Sequence, residues 1–518
     1  MSQLTNHKGR FMTLARAHGI VISGIEGLVV EIEAYLAQGL PGMTIVGLAD
    51  TAVGESRDRV RAAIQNSQLP WPSERRITVG LSPASVHKRG ATLDLGIALS
   101  ILAAHGAIPE PQDVVCIGEL TLDGRVNPVR GVLVAALAAH RAGFSRILVP
   151  HTQVAEATLV PELSVVGVSS LSDAIVIMRG EELPDFDVVS TKPHVMVVPD
   201  LKDVRGQVLA RHALEIAAAG GHHIAFLGSP GVGKTMLAER LPGILPPLDD
   251  DLAVEVTAIH SVAGKLEAGT GLVRVPPFQA PHHSATVAAM IGGGAHQVRI
   301  GIASMAHGGV LCIDEAAEFD RVVLDALRQP LESGSVTVSR AGFTSELPAR
   351  FQLVLASNPC PCGKFVGTGT LCSCSPPVRR RYISRISGPL LDRIDLRVTL
   401  EKPSIVDLDA STPEPESSAV VAARVKEARD RSSFRFRDKP SSLNAHIPGP
   451  VLRREFPMEP EAHALLARDV TGLSARGIDR VIRIAWTIAD LNGHARPSVN
   501  DVAQALSFRD GNGAWMAA

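Results

Sequence analysis

Residues 222–243, HHIAFLGSPGVGKTMLAERLPG, set a glycine-rich turn between a short apolar run (Ile224 to Leu227) and a helix-forming segment. The turn comprises Gly228, Ser229, Pro230, Gly231, Val232, Gly233, Lys234 and Thr235. Three of these glycines carry no Cβ, so the backbone can curl tightly enough to aim several N–H groups at one anion, at the positive end of the following helix. In such a loop the lysine, Lys234, reaches the β- and γ-phosphates, and the hydroxyl of Thr235 ligates Mg²⁺. ATP and Mg²⁺ are the expected cofactors.

A second signal lies downstream. Residues 309–315, GVLCIDE, read as a buried strand ending in two acids, with Asp314 suited to hold a metal and Glu315 to polarise water. Gln352–Ala356 is another buried strand with Asn358 at its end. Asn358 is placed to hold the attacking water, the role called sensor 1; the competing reading is an Asn that only turns the chain before Pro359. His282 and His283 fall between these motifs. Adjacent histidines point apart on a regular backbone, which predicts an ordered loop near the nucleotide rather than a metal site.

Four of the six cysteines lie within 15 residues, as CPC (360–362) and CSC (372–374). Cys360, Cys362, Cys372 and Cys374 fit a tetrahedral structural Zn²⁺ closing a glycine-rich loop, although zinc knuckles normally use Cys-x₂-Cys; free thiols or redox pairing are the alternatives. Beyond them VRRRYISR (378–385) gathers Arg379, Arg380 and Arg381, either a phosphate-contacting surface or a solvated charge run. Val336–Ser339 and Thr344–Leu347 predict a hairpin with Arg340, Ala341 and Gly342 at its tip.

Around these motifs the chain reads as ordinary globular cores, with 45% apolar and 20% charged residues over 518 positions, enough for about three domains. Aromatics are only 3%, so tandem base stacking is not expected and any nucleic-acid contact falls mainly on phosphates. A net charge of −2 excludes a generally basic protein but not a basic pore inside a neutral ring. Apolar runs such as Leu95 to Ala104 are shorter than the roughly 18–20 residues that span a bilayer, and MSQLTNHKGR has no signal core. No membrane is expected, and the cytoplasm is the expected compartment.

The expected order is a tail (1–11), an α+β domain (12–180), a linker with three prolines (181–200), an α/β nucleotide module (201–400) and a helical lid (401–518). Residues 201–220 have helical spacing and a C-cap at Gly220–Gly221. Residues 459–508 read as helical throughout, with apolar positions of 473–491 recurring every three to four residues.

HKRGATLDLGIALSIL (87–102) and GELTLDGRVNPVRGVLVAALAAHRAG (118–143) resemble the proteolytic domain of Lon proteases, implying a ribosomal S5 domain 2-like fold. By that resemblance the nucleophilic Ser position falls on Thr92 and the activating Lys position on Leu133. Leucine cannot accept a proton, so the expectation is a non-proteolytic platform. The order phosphate loop, acidic strand, hairpin, Asn-ended strand, LLDRIDL and SARG helix resembles AAA+ ATPases of the Mg-chelatase and MCM-helicase branch. With the Lon-like leader, the whole is similar to the bacterial Mg-chelatase-like YifB/ComM family. That resemblance implies a ring, by analogy a hexamer, that moves single-stranded, forked or branched DNA in branch migration. It makes Arg393 the arginine finger offered to a neighbouring subunit, Arg476 sensor 2, and Arg340 a DNA-facing pore residue. The alternatives are a Mg-chelatase-type motor or a protein remodeller acting on a partner protein.

Overall fold

The computed structural model describes residues 13–47, 50–85, 87–88, 90–181, 197–267, 269–294, 299–340, 343–365, 370–404, 409, 413–469 and 473–510. The 1–11 tail and most of the 181–200 linker lie outside these residues. The chain forms two compact units, one of residues 1–194, 253–273 and 295–299, the other of the remaining segments. A stretch that follows the phosphate loop in sequence, 253–273, therefore folds into the first unit.

The first unit is built on a seven-stranded mixed sheet. Its strands are β1 (Leu14–Ser23), β2 (Glu26–Ala37), β3 (Gly42–Val46), β4 (Arg76–Ser82), β5 (Val114–Cys116), β8 (Arg146–Pro150) and β9 (Ser164–Val168), while β6 (Glu119–Leu120) and β7 (Val126–Asn127) form a separate small pair. The order is β3-β4-β2-β1-β5-β8-β9, antiparallel among β4, β2 and β1 and parallel elsewhere. Two residues, Gly24 and Ile25, close the β1–β2 hairpin between Ser23 and Glu26, and Gly24 supplies the positive φ of 63° such a tight turn demands. Along β1 the alternation puts Ala15 and Ala17 in the core and Arg16 outside.

Helix Asp94–Ala104 is apolar on every side and is buried along its whole length. Its first residue, Asp94, has no exposure, and the Arg59 guanidinium at 2.7 Å answers its charge. Helix Val132–Arg141 covers the other face, where Val132, Leu133 and Ala136 join Ile20, Val115 and Ala258 in one apolar cluster.

The second unit holds a five-stranded sheet in which every pairing is parallel: β10 (Ile224–Gly228), β11 (Phe278–Gln279), β12 (Val310–Ile313), β15 (Gln352–Ser357) and β16 (Leu396–Leu400), ordered β11-β12-β15-β10-β16. β10 and β12 are wholly buried, as parallel strands covered on both faces must be, which explains their unbroken apolar runs. β13 (Ser335–Arg340) and β14 (Phe343–Pro348) form the separate hairpin, with Arg340 opposite Phe343; Ala341 and Gly342 at its tip lie outside the described residues.

Instead of one helix over 201–220, a single 3-10 turn (Leu201–Asp203) is followed by helix Val208–Gly220, because Gln207 sits in the left-handed region at φ 48°. Gly221, at φ 76°, ends that helix. The C-terminal part comprises helices Ser418–Arg435, Gly449–Glu455, Pro460–Asp469, Ala475–Asn492 and Val499–Asp510, so 459–508 is helical with breaks. Trp486 and Phe508 share one apolar cluster with Phe226 and Leu237 of the nucleotide module. Burying a side chain of that size contributes about 1.5–3 kcal/mol, which ties lid and sheet together.

Candidate functional site

β10 ends at Gly228 and helix Lys234–Arg240 begins after Gly233. Gly231 and Gly233 have φ of 77° and 96°, the conformations that reserve these positions for glycine. Lys234 is buried, and its Nζ donates to Gly228 O at 2.8 Å, Ser229 O at 2.9 Å and Asn358 Oδ1 at 2.9 Å. Burial pulls its ammonium below the usual lysine range, while Asp314 and Glu315 oppose that pull.

The sheet order makes this meeting possible. β15 lies between β10 and β12, so Asn358 at its end falls between the phosphate loop and the acidic pair. Thr235 Oγ1 donates to Asp314 Oδ2 at 2.6 Å, and the Glu315 N–H donates to Asp314 Oδ1 at 2.8 Å. Glu315 has φ 50°, a left-handed conformation costing a non-glycine residue about 1–3 kcal/mol. Glu315 lies two residues beyond the end of β12, and its carboxylate is half exposed.

The rings of His282 and His283 lie 4.1 Å apart between centroids rather than pointing apart. They follow β11 in an irregular segment, where strand alternation does not apply. His283 Nδ1 is 3.8 Å from Glu315 Oε2, and His282 Nδ1 is 2.9 Å from Ser284 Oγ.

Arg393 is buried, with its guanidinium bonded to Pro389 O at 2.6 Å and paired with Glu332; its Nε has no partner among the described residues. Arg476 is exposed in the first turn of helix Ala475–Asn492, one turn before Arg480, which reaches Asp395 and the Arg393 carbonyl at 3.1 Å. Against the cost of burial, Arg480 and His222 hold the Asp395 carboxyl well below its usual range. Arg340 ends β13; Arg379, half-buried, stacks its guanidinium 3.7 Å over the Phe365 ring, and Arg380 and Arg381 are exposed.

The four cysteine sulfurs converge to within 4.8 Å of one another, with Cys360 Sγ 3.3 Å from Cys362 Sγ and 3.6 Å from Cys372 Sγ. A Zn–S bond of about 2.3 Å puts tetrahedral sulfurs about 3.8 Å apart, so the cluster has the dimensions of a zinc site. Burial pushes the Cys360 thiol up to about 12, whereas the Lys364 amide and the Cys360 side chain draw Cys362 down to about 6.

Other residues entered the site without notice in the sequence. Gln207 Nε2 donates to Val232 O in the phosphate loop at 3.1 Å and to Glu401 O at 2.6 Å; the Gly206–Gln207 pair ahead of an apolar helix was its one signal. Tyr382, one of two tyrosines in the chain, is buried beside Glu318 and Asn358. Burial and the Glu318 carboxylate hold its phenol above the usual range. No local sequence signal marks Glu332.

The pattern described as magnesium chelatase, subunit ChlI, matches residues 200–408; subunit ChlI of Mg-chelatase matches 32–153, and the subunit ChlI C-terminal pattern matches 415–509. Competence protein ComM of Haemophilus influenzae is 37% identical over 507 residues, covering 96% of this chain and 98% of that protein. YifB of Escherichia coli K12 is 38% identical over 502 residues, covering 96% and 97%. The chain belongs to the Mg-chelatase-like YifB/ComM family. Another relative, Rv2897c of Mycobacterium tuberculosis, is 46% identical over 504 residues, covering 96% and 99%. Lon protease of Rhizobium meliloti is 25% identical over 205 residues, 37% of this chain and 25% of that protein. YifB/ComM membership makes this an ATPase-type chain for which ATP and Mg²⁺ are implied. The residues present fit both: a glycine-lined anion loop with a buried lysine, and a hydroxyl and carboxylate 2.6 Å apart on hard oxygen ligands. Among the described residues no helix is long and apolar enough to cross a membrane.

Proposed function

We propose that this YifB/ComM protein is a cytoplasmic, ring-forming ATPase that moves DNA, with a non-proteolytic Lon-like domain, an AAA+ core and a helical lid. The convergence of Lys234, Asn358, Thr235 and Asp314 within hydrogen-bond reach carries the hydrolytic part of the reading. MgATP supplies the phosphoanhydride whose cleavage drives movement. Loop amides and Lys234 hold its phosphates, Thr235 and Asp314 hold Mg²⁺, Asn358 orients the attacking water and Glu315 polarises it. Arg393 serves a neighbouring subunit's site, which makes hydrolysis depend on assembly, six being the usual closure for this class. Its pairing with Glu332 is then the contact a neighbouring subunit must replace. Exposed Arg476 senses the nucleotide from the lid.

The DNA part rests on the β13–β14 hairpin, which ends in Arg340, on the basic helix Pro376–Ile383 with Arg379, Arg380 and Arg381, and on the name competence protein borne by a relative. The four cysteines hold one structural Zn²⁺ in this reading.

Forked DNA added to the purified protein should raise ATP hydrolysis severalfold, and Arg340→Ala should remove that stimulation while leaving basal turnover. Hydrolysis indifferent to DNA but raised by a partner protein would favour the chelatase or remodelling alternatives.

A further inference from the structure

The cysteine knuckle is built against the phosphate loop. Asn358, which receives the Lys234 bond, is two residues before Cys360. Gly363, inside the CPC turn at φ 71°, lies so close to Pro230 that a Cβ there would stand 2.4 Å from Pro230 Cδ and 2.7 Å from its Cγ. Phe365 lies under the Arg379 guanidinium at 3.7 Å, which joins the same turn to helix Pro376–Ile383. That helix carries Tyr382 to Asn358 and Glu318. The loop that must grip phosphate is thus flanked by a segment with little apolar core of its own, held in shape by four converging sulfurs.

We propose that a zinc ion on Cys360, Cys362, Cys372 and Cys374 braces the phosphate loop through the Gly363–Pro230 contact, so that metal occupancy sets nucleotide affinity. This rests on the reading of residues 228–235 as an ATP site. With the metal bound, the CPC turn is closed and Gly363 presses on Pro230, keeping the loop amides aimed inward. Without it, four thiols no longer held together let the turn relax, and the loop gains conformations that must be lost again on binding. The cost falls on affinity rather than on a chemical step.

Coupling between two sites is reciprocal: whatever factor zinc adds to nucleotide binding, nucleotide must add to zinc binding. The full chain, loaded with zinc, is titrated with a fluorescent non-hydrolysable ATP analogue in the presence of Mg²⁺, then again after a zinc-selective chelator and after zinc is restored. Removal should weaken binding about tenfold, the low end for losing a supporting shell, and restoration should reverse it. Zinc affinity, measured by equilibrium competition with the chelator, should rise by the same factor when the analogue is bound. Gly363→Ala, which keeps all four thiols, should weaken analogue binding at full zinc occupancy.

Equal analogue affinity with and without zinc would overturn the coupling. A chain that neither carries nor takes up zinc, but changes affinity on reduction, would replace the metal with a disulfide and overturn it too. A zinc-loaded chain that binds no nucleotide would instead overturn the ATP-site reading on which the proposal stands.

Discussion

Lys234 donates a hydrogen bond to Asn358 Oδ1 at 2.9 Å, joining side chains 124 positions apart, one opening the helix after β10 and the other following the neighbouring parallel strand β15. That bond points Asn358 into the phosphate loop rather than out toward the chain turn at Pro359. Asn358→Ala should retain nucleotide binding and lose about a hundredfold in turnover, as expected when one oriented polar group is removed from a reacting centre. Lys234→Ala should lose binding itself. Nucleotide titrations set beside turnover separate the two, and an Asn358→Ala protein with wild-type turnover would return Asn358 to the role of a turn residue.

Glu315→Gln should keep nucleotide affinity and stop hydrolysis, since the amide preserves shape but cannot polarise water. Because His283 is the imidazole at 3.8 Å from that carboxylate, His283→Ala should alter turnover without altering affinity. Single-turnover hydrolysis checks both; unchanged rates in Glu315→Gln would remove the acid from the mechanism.

The Arg393–Glu332 pair yields a mixing experiment. Arg393→Ala subunits alone and Lys234→Ala subunits alone should both be inactive, yet mixed rings should recover part of the activity wherever an intact loop meets an intact arginine. Hydrolysis followed across mixing ratios gives the answer: zero at every ratio would confine Arg393 to its own subunit. Glu332→Ala, which releases the arginine, should not lower activity in assembled rings.

The Lon-like unit should show no peptidase activity. Leu133 has no exposure and packs in an apolar cluster, so no proton acceptor stands at the position that would activate Thr92. Casein incubated with the protein and ATP should remain intact; cleavage lost in Thr92→Ala would reverse this expectation.

Stability should fall in mild acid. Burial pushes the His223 imidazole down to about 4, and its Nδ1 accepts the Leu353 N–H at 3.1 Å, so only the neutral ring fits. Asp395 pulls the other way and Arg480 and His222 add to the depression. The unfolded ring titrates near about 6.5, so the unfolded state binds more protons between those values. Stability is then full above about pH 6.5 and declines toward pH 4, by about 2–3 kcal/mol from this residue. Denaturant midpoints from pH 7.5 to 4.5 should show the slope, and His223→Asn, whose Oδ1 can accept the same N–H, should flatten it.

Short-range chemistry made much of this molecule legible in its sequence. GSPGVGKT and GVLCIDE are recognisable because an anion loop needs glycines at fixed places and a buried parallel strand needs an unbroken apolar run; the positive φ of Gly231 and Gly233 and the full burial of β10 and β12 are the same constraints in space. The hairpin and the paired CPC and CSC were visible for like reasons. The order of strands was not. That β15 lies between β10 and β12 follows from long crossover packing, and it alone brings Asn358 to Lys234 and Thr235 to Asp314. The Glu332 partner of Arg393, the reach of Arg480 to Asp395 and the placing of residues 253–273 in the first unit likewise depend on residues distant along the chain. So does the close approach of Gly363 to Pro230. Local propensity and periodicity carry no term for such pairs, because which surfaces meet is settled only when apolar faces from the whole chain are buried together.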